Sequence, residues 1–169
     1  MPDEHGFEAF YDATFGHLVG QLFLVTGDLE DAEDVVQEAL IRAAVRWPRL
    51  RDYDAPEAWV RRVAMNLASD RLRRARRRMA AVSRLRTGQA PAAELEGLAL
   101  TQALRALPLP QRKVVVLHHL LDLPVEEVAA ELGVPAGTVK SRLARARAAL
   151  ATLLTHEPQE LGGGASNHG

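Results

Sequence analysis

The 169-residue sequence predicts an all-α protein of two small helical domains joined by a flexible linker. Apolar residues recur every three to four positions with no sustained strand-like alternation, the mark of amphipathic helices. Proline and glycine are scarce between residues 28 and 78. The periodicity then breaks over residues 79–96, a run of small residues with Gly88 and Pro91, before a second periodic segment begins.

The expected elements follow in order. A first helix over about 6–26 places Phe7, Phe10, Tyr11, Leu18, Leu22 and Val25 on one inward stripe, and Gly27 ends it. Asp28 is suited to cap a second helix whose inward set is Leu29, Ala32, Val36, Leu40, Ala43 and Trp47, with Pro48 expected to stop it. A loop over 49–55 leads to Pro56, favourable in a first turn, and to a third helix burying Trp59, Val60, Val63, Ala64, Leu67, Ala68 and Leu72. This gives a first domain over 1–78, a linker over 79–96 and a second domain over 97–155. In the second domain one helix reaches about 107 and another covers 111–121 after Pro108 and Pro110, followed by a closely coupled pair. The tail, 156–169, with Gly162, Gly163 and Gly164, is expected to be disordered.

Composition narrows the function classes. With no cysteine, disulfide scaffolds, thiolate zinc sites and a cysteine nucleophile are excluded. The acidic start, residues 1–10, has neither the basic opening nor the apolar run of a signal peptide, and no apolar stretch approaches the roughly 18 residues of a membrane span. A cytoplasmic protein without membrane insertion is expected. The net charge of −1 conceals a strong segregation: residues 1–55 hold 12 acids and 4 bases, whereas 56–90 hold 2 acids and 10 bases. Residues 138–155 hold 4 bases and no acid. Such blocks suit one cationic and one anionic partner, or else solvated helix faces.

The segment VEEVAAELGVPAGTVKSRLARARAAL, 125–150, meets three steric demands of a helix-turn-helix. Ala129 is small where the second helix crosses the first, Gly133 tolerates a positive φ at the turn, and Val139 can lock the second helix. That second helix offers Thr138, Lys140, Ser141, Arg142, Arg145 and Arg147 for phosphate and major-groove contacts. The bland alternative is a basic face on an ordinary helical hairpin.

On the third helix, Arg62, Asn66, Ser69, Arg73 and Arg76 share one stripe, and Arg71, Arg73, Arg74, Arg76, Arg77 and Arg78 make a cationic end suited to phosphates. Asn66 is suited to a base edge. All eight aromatic residues lie in the first 59 positions, mostly in core registers. Tyr53, in a polar loop beside the basic helix, is placed either to support an extruded base or to pack over its loop. Acids crowd the start of the second helix, where the helix dipole alone favours them. Asp34, Gln37 and Glu38 continue past that first turn on a polar face, open to a cationic protein surface.

These residues resemble the extracytoplasmic-function sigma factors, minimal two-domain members of the bacterial sigma superfamily. The resemblance covers about residues 7–154. DAEDVVQEALIRAA, 31–44, is similar to the family helix that docks on the polymerase clamp helices, which implies core binding by Asp34, Gln37 and Glu38. AWVRRVAMNLASDRLRRARRR, 58–78, is similar to the helix that reads and melts the minus-ten element. This implies roles for Arg62, Asn66 and Arg73, and for Arg51, Tyr53 and Asp54 in the loop that holds a flipped base. Residues 107–150 resemble the domain that binds the minus-thirty-five element, implying contacts by Thr138, Lys140, Ser141, Arg142 and Arg145.

The implied protein is a specificity subunit rather than an enzyme, with no cofactor or metal. Its partners are core polymerase and promoter DNA, with room for an anti-sigma factor. One departure concerns the entry to the helix-turn-helix, where Asp122, Leu123 and Pro124 replace the family's usual glycine and hydroxyl cap. The main rival is a stand-alone helix-turn-helix regulator, which leaves the acidic helix and the Asn66 stripe unexplained. A helical enzyme fits less well: His118 and His119 are adjacent rather than one turn apart, and no nucleophile–base pair stands out.

Overall fold

Helix periodicity is realised throughout the computed structural model, which describes residues 4–82 and 97–155. The first domain contains α1 (Glu4–Thr26), α2 (Leu29–Leu50) and α3 (Pro56–Val82). The second contains α4 (Gly97–Ala106), α5 (Leu109–Val115), α6 (Val125–Leu132) and α7 (Ala136–Thr155), with α5 continuing as one π-helical turn, Val116–Leu120. The predicted all-α, two-domain fold is therefore what forms. Residues 83–96 of the expected linker and the whole expected tail lie outside the described residues.

In the first domain Leu18, Leu22 and Val25 of α1 meet Ala32, Val36, Leu40 and Ala43 of α2 and Val60, Ala64, Met65 and Ala68 of α3, all essentially inaccessible to water. At the open end of this bundle Trp47 closes the core, its ring 4.9 Å from Phe10 and 5.5 Å from Phe7. Asp28 caps α2 as expected, its side chain accepting the Asp31 amide at 2.9 Å. Gly27, at φ +70°, ends α1.

Several expectations are corrected. Pro48 does not stop α2: it costs one backbone hydrogen bond near the helix end, while burial of Trp47 and Leu50 on either side holds the last turn in place. The loop therefore starts at Arg51, whose amide donates to the Trp47 carbonyl at 3.0 Å. Leu29 is 55% exposed, because it sits in the first turn before α2 enters the core. At its far end α3 runs to Val82 rather than 78, carried on by Met79, Ala80 and Ala81, which favour helix.

The second domain packs Leu104, Leu107, Val114, Val116 and Leu117 against Val128, Val139, Leu143 and Ala146. Its helix-turn-helix has the foreseen geometry. Ala129 is buried at the crossing, Gly133 has φ +67°, and Val139 is fully buried. At the entry to α6, Asp122 takes φ +55° where a glycine would be at ease, a conformation Asp tolerates better than most residues. His118 Nδ1 donates to the Leu123 carbonyl at 2.7 Å and supports that turn, so this histidine has a structural task. Pro124 gives α6 no side-chain cap, and the acids Glu126 and Glu127 in the first turn offset this through the helix dipole.

The second domain rests on α1 and α3. Arg112 is buried, and its guanidinium donates to the carbonyls of Leu104, Arg105 and Leu107 at 2.7, 3.1 and 3.0 Å and across the domain boundary to Val25 at 2.6 Å. It thereby satisfies carbonyls that the ends of α4 and α1 leave without helical partners. Among the described residues no helix is long and apolar enough to cross a membrane.

Two stability predictions follow from this packing. Gly133→Val should cost about 1–2 kcal/mol and Gly133→Asn clearly less, because a Cβ there meets nothing within 4 Å and the penalty is purely that of the backbone. Thermal melting followed by circular dichroism reads this difference. Trp47→Ala should destabilise the first domain by about 3–5 kcal/mol in urea, since it removes the ring that Phe7 and Phe10 pack against.

Candidate polymerase and promoter surfaces

The acidic surface lies on the side of α2 away from the core. Asp34 and Gln37 are exposed and Glu38 is half-buried. Both carboxylates already have cationic neighbours: Arg71 Nη1 lies 3.2 Å from Asp34 and 3.5 Å from Asp31, and Arg42 Nη2 donates to Glu38 at 2.7 Å. These pairs are substantially solvated, which limits each to about 0–1 kcal/mol and leaves the acids free to exchange partners. Arg71 is thus folded back on α2, although the sequence placed it in the cationic end of α3.

Sequence reasoning missed two residues on this side of α2. Ile41 and Val45 are 61% and 82% exposed, and at helical spacing they extend the row begun by Asp34, Gln37 and Glu38. With Trp59 and Val63 of α3, they flank a hollow of about 340 Å³. The available signal was the presence of large apolar residues off the buried stripe of α2.

The basic surface of α3 exposes Arg62, Asn66 and Arg73. Asn66 lines a groove of about 370 Å³ that also includes Glu38, Arg42 and Arg74, which places it beside the acidic surface. Ser69 departs from the expected stripe: it is buried, donates to the Met65 carbonyl at 2.8 Å and receives Lys113 Nζ at 3.1 Å. The reason is angular, because residue 69 falls on the side of α3 covered by the second domain.

In the loop between α2 and α3, Arg51, Tyr53 and Asp54 are all exposed, Tyr53 by 54%. Tyr53 lines a hollow of about 220 Å³ with Arg46, Arg49, Leu50 and Trp59, and the Arg46 guanidinium stands 5.7 Å from the centre of the Trp59 ring. A cavity of about 150 Å³ suffices for benzene, so one planar base has room here. Arg51 and Asp54 are not part of that lining. Arg46, Arg49 and Trp59 belong to it and were missed because the sequence placed Trp59 in the core.

On α7, Lys140, Ser141 and Arg145 are exposed, while Thr138 and Arg142 are half-buried. The Ser141 hydroxyl donates to the Thr138 carbonyl at 3.0 Å. Behind this surface, burial pushes the Lys113 ammonium below its ordinary range, reinforced by the charges of Arg73 and Arg142 and opposed by Asp70. Cations of α3 and α7 therefore meet near one lysine.

The chain matches the Sigma-70 region 2 family over residues 10–78 and the Sigma-70 region 4 family over residues 97–150. It is 35% identical over 158 residues to the ECF RNA polymerase sigma factor SigM of Mycobacterium tuberculosis, covering 90% of this chain and 79% of that one. To the RNA polymerase sigma-E factor of Streptomyces antibioticus it is 39% identical over 131 residues, 73% of this chain and 70% of that one. Among solved structures, the sigma factor RpoE in complex with the anti-sigma factor NepR from Bartonella quintana aligns with TM-score 0.69. At 24% identity, over 90% of this chain and 99% of that one, it speaks to the fold. CnrH in complex with the cytosolic domain of CnrY aligns with TM-score 0.63 and 29% identity, covering 93% of this chain and 92% of that one. With both domains matched in order and relatives similar along most of their length, the chain belongs to the extracytoplasmic-function RNA polymerase sigma factors.

Proposed function

We propose that this sigma factor divides its work among three surfaces: α2 docks on core polymerase, the α2–α3 loop with α3 engages the minus-ten element, and α7 reads the minus-thirty-five element. The observation that carries this reading is the joint exposure of an acidic, partly apolar row on α2, a mainly cationic surface at Arg62, Asn66 and Arg73 on α3, and an acid-free cationic surface on α7. Asp34, Gln37 and Glu38 supply the charged and polar part of docking, and Ile41 and Val45 the apolar part. Arg51, Tyr53 and Asp54 form the loop that receives an unstacked base, with Tyr53 and Trp59 as its walls and Arg46 and Arg49 near the phosphates. Thr138, Lys140, Ser141, Arg142 and Arg145 contact the upstream duplex. The division at 1–78, 79–96, 97–155 and 156–169 is part of the same reading, with the last turn of α3, 79–82, extending into the linker segment.

The protein is a cytoplasmic, non-catalytic subunit: polymerase supplies nucleotidyl transfer, and this chain supplies position and promoter opening. Since RpoE and CnrH were captured with NepR and CnrY, we extend an anti-sigma partner to this chain as well. Run-off transcription with purified core tests the whole reading, which requires a promoter-specific start that core alone does not make.

Each surface has its own test. Replacing Arg142 and Arg145 with Ala should weaken binding to promoter duplex and reduce the slope of log affinity against log salt by roughly 2, as two phosphate contacts disappear. Fluorescence anisotropy over a salt series reads both, and an unchanged slope removes α7 from the assignment. Asp34→Ala with Glu38→Ala should weaken core binding about 5- to 30-fold, corresponding to about 1–2 kcal/mol, while leaving the melting curve unchanged. Tyr53→Ala should reduce open-complex formation, scored by permanganate reactivity, while Tyr53→Phe retains it, because stacking needs the ring and not the hydroxyl.

A further inference from the structure

The docking row of α2 is not bare in the free factor, and a cation that covers part of it comes from α3. Arg71 Nη1 stands between two carboxylates, 3.5 Å from Asp31 and 3.2 Å from Asp34. Asp31 and Asp34, three residues apart, lie one above the other on the same side of α2, where their charges repel each other and favour a shared cation. These three side chains are between 38% and 53% exposed, so water competes for each group and the contacts are weak and exchangeable.

Not every arginine of α3 is placed in this way. Arg61 is committed: it meets Glu131 of α6 through Nε to Oε1 at 2.6 Å and Nη2 to Oε2 at 2.9 Å, with side chains only 10% and 8% exposed. Arg73 pairs within its own helix, with Asp70 at 3.8 Å. Of the three, Arg71 is the one that reaches across to α2, and it has a second place to rest. It lines the groove of about 370 Å³ that holds Asn66 and Arg74, where Glu38 and Asp70 offer other carboxylates. A displaced Arg71 is therefore not stranded, which keeps the cost of displacing it low.

A cationic partner approaching this part of the row finds the two aspartates already neutralised and a like charge beside them. Given α2 as the helix that docks on polymerase, on which this inference rests, we propose that Arg71 is a built-in competitor for docking. It occupies the place between Asp31 and Asp34 that a cationic side chain of polymerase takes in the complex. It thereby holds the affinity of the factor for core below what α2 alone would give. Asp31 then joins Asp34, Gln37 and Glu38 in the docking surface.

Removing Arg71 should therefore strengthen a complex, whereas removing a contact residue weakens one. Arg71→Gln, and Arg71→Met as a second neutral variant of similar length, should tighten binding to purified core polymerase without DNA by about 2- to 5-fold, the range open to a solvated ion pair. Competition of the full-length variants against fluorescently labelled parent for limiting core measures this. The gain should shrink as salt is raised, because solvated pairs are screened. Arg73→Gln removes the same charge from the same helix but leaves Asp31 and Asp34 covered, and should leave core affinity unchanged. In an Asp31→Asn, Asp34→Asn background, Arg71→Gln should bring no gain, since no carboxylate remains to be uncovered.

An affinity for core that stays the same or falls in both neutral Arg71 variants, while Asp34→Ala with Glu38→Ala still weakens binding, would overturn the competitor role. An equal gain from Arg73→Gln, or a gain that persists in the double-asparagine background, would overturn it too, because general charge and not the shared seat would then be responsible. If Asp34→Ala with Glu38→Ala also leaves core affinity unchanged, the docking reading of α2 fails and the competitor falls with it.

Discussion

A single 27-residue helix, α3, has to satisfy three surroundings at once, and the arrangement of the molecule follows from that constraint. Successive side chains turn by 100°, so residues 60, 64 and 68 face the core with α1 and α2 while 62, 66 and 73 face solvent. Residues 61 and 69 fall on yet another side, and there the second domain sits. Alanine at 64 and 68 lets the helices of the first domain come close, which brings the acidic side of α2 near the basic side of α3. The groove shared by Glu38 and Asn66 is the result.

The charges that read as blocks in the sequence are not equivalent in energy. Solvated pairs such as Glu38–Arg42 and Asp34–Arg71 contribute about 0–1 kcal/mol each and can be exchanged for a partner's groups at small cost. Arg61–Glu131 is another matter. Stripped of water, its two ions depend on each other, and removing one leaves the other buried and unpaired at a cost of about 3–5 kcal/mol. Arg112 is stabilised differently, by the carbonyl ends of α1 and α4 rather than by a carboxylate.

Where a local rule acted alone, the sequence was a good guide. Asp28 caps, Gly133 turns and Val139 locks, because each reflects a steric or hydrogen-bonding demand confined to a few residues. Where burial by a distant segment intervened, local rules misled. Pro48 was overridden by the burial of Trp47 and Leu50, and Ser69 was drawn from an outward stripe into the domain junction. Trp59 shows the same ambiguity from the other side, since an apolar register is equally consistent with the core and with the wall of a hollow.

By itself the amino-acid order determined the helical class, the two-domain division, the helix-turn-helix and the segregation of acidic from basic helices, since periodicity, caps and composition are encoded within one or two turns. Only the tertiary structure decided which charged residues remain available and which are spent on one another. That outcome depends on contacts such as Arg61 with Glu131, 70 residues apart, and Arg112 with Val25, 87 apart. No periodic pattern records such pairings, because they arise from how packed helices present their remaining faces to each other.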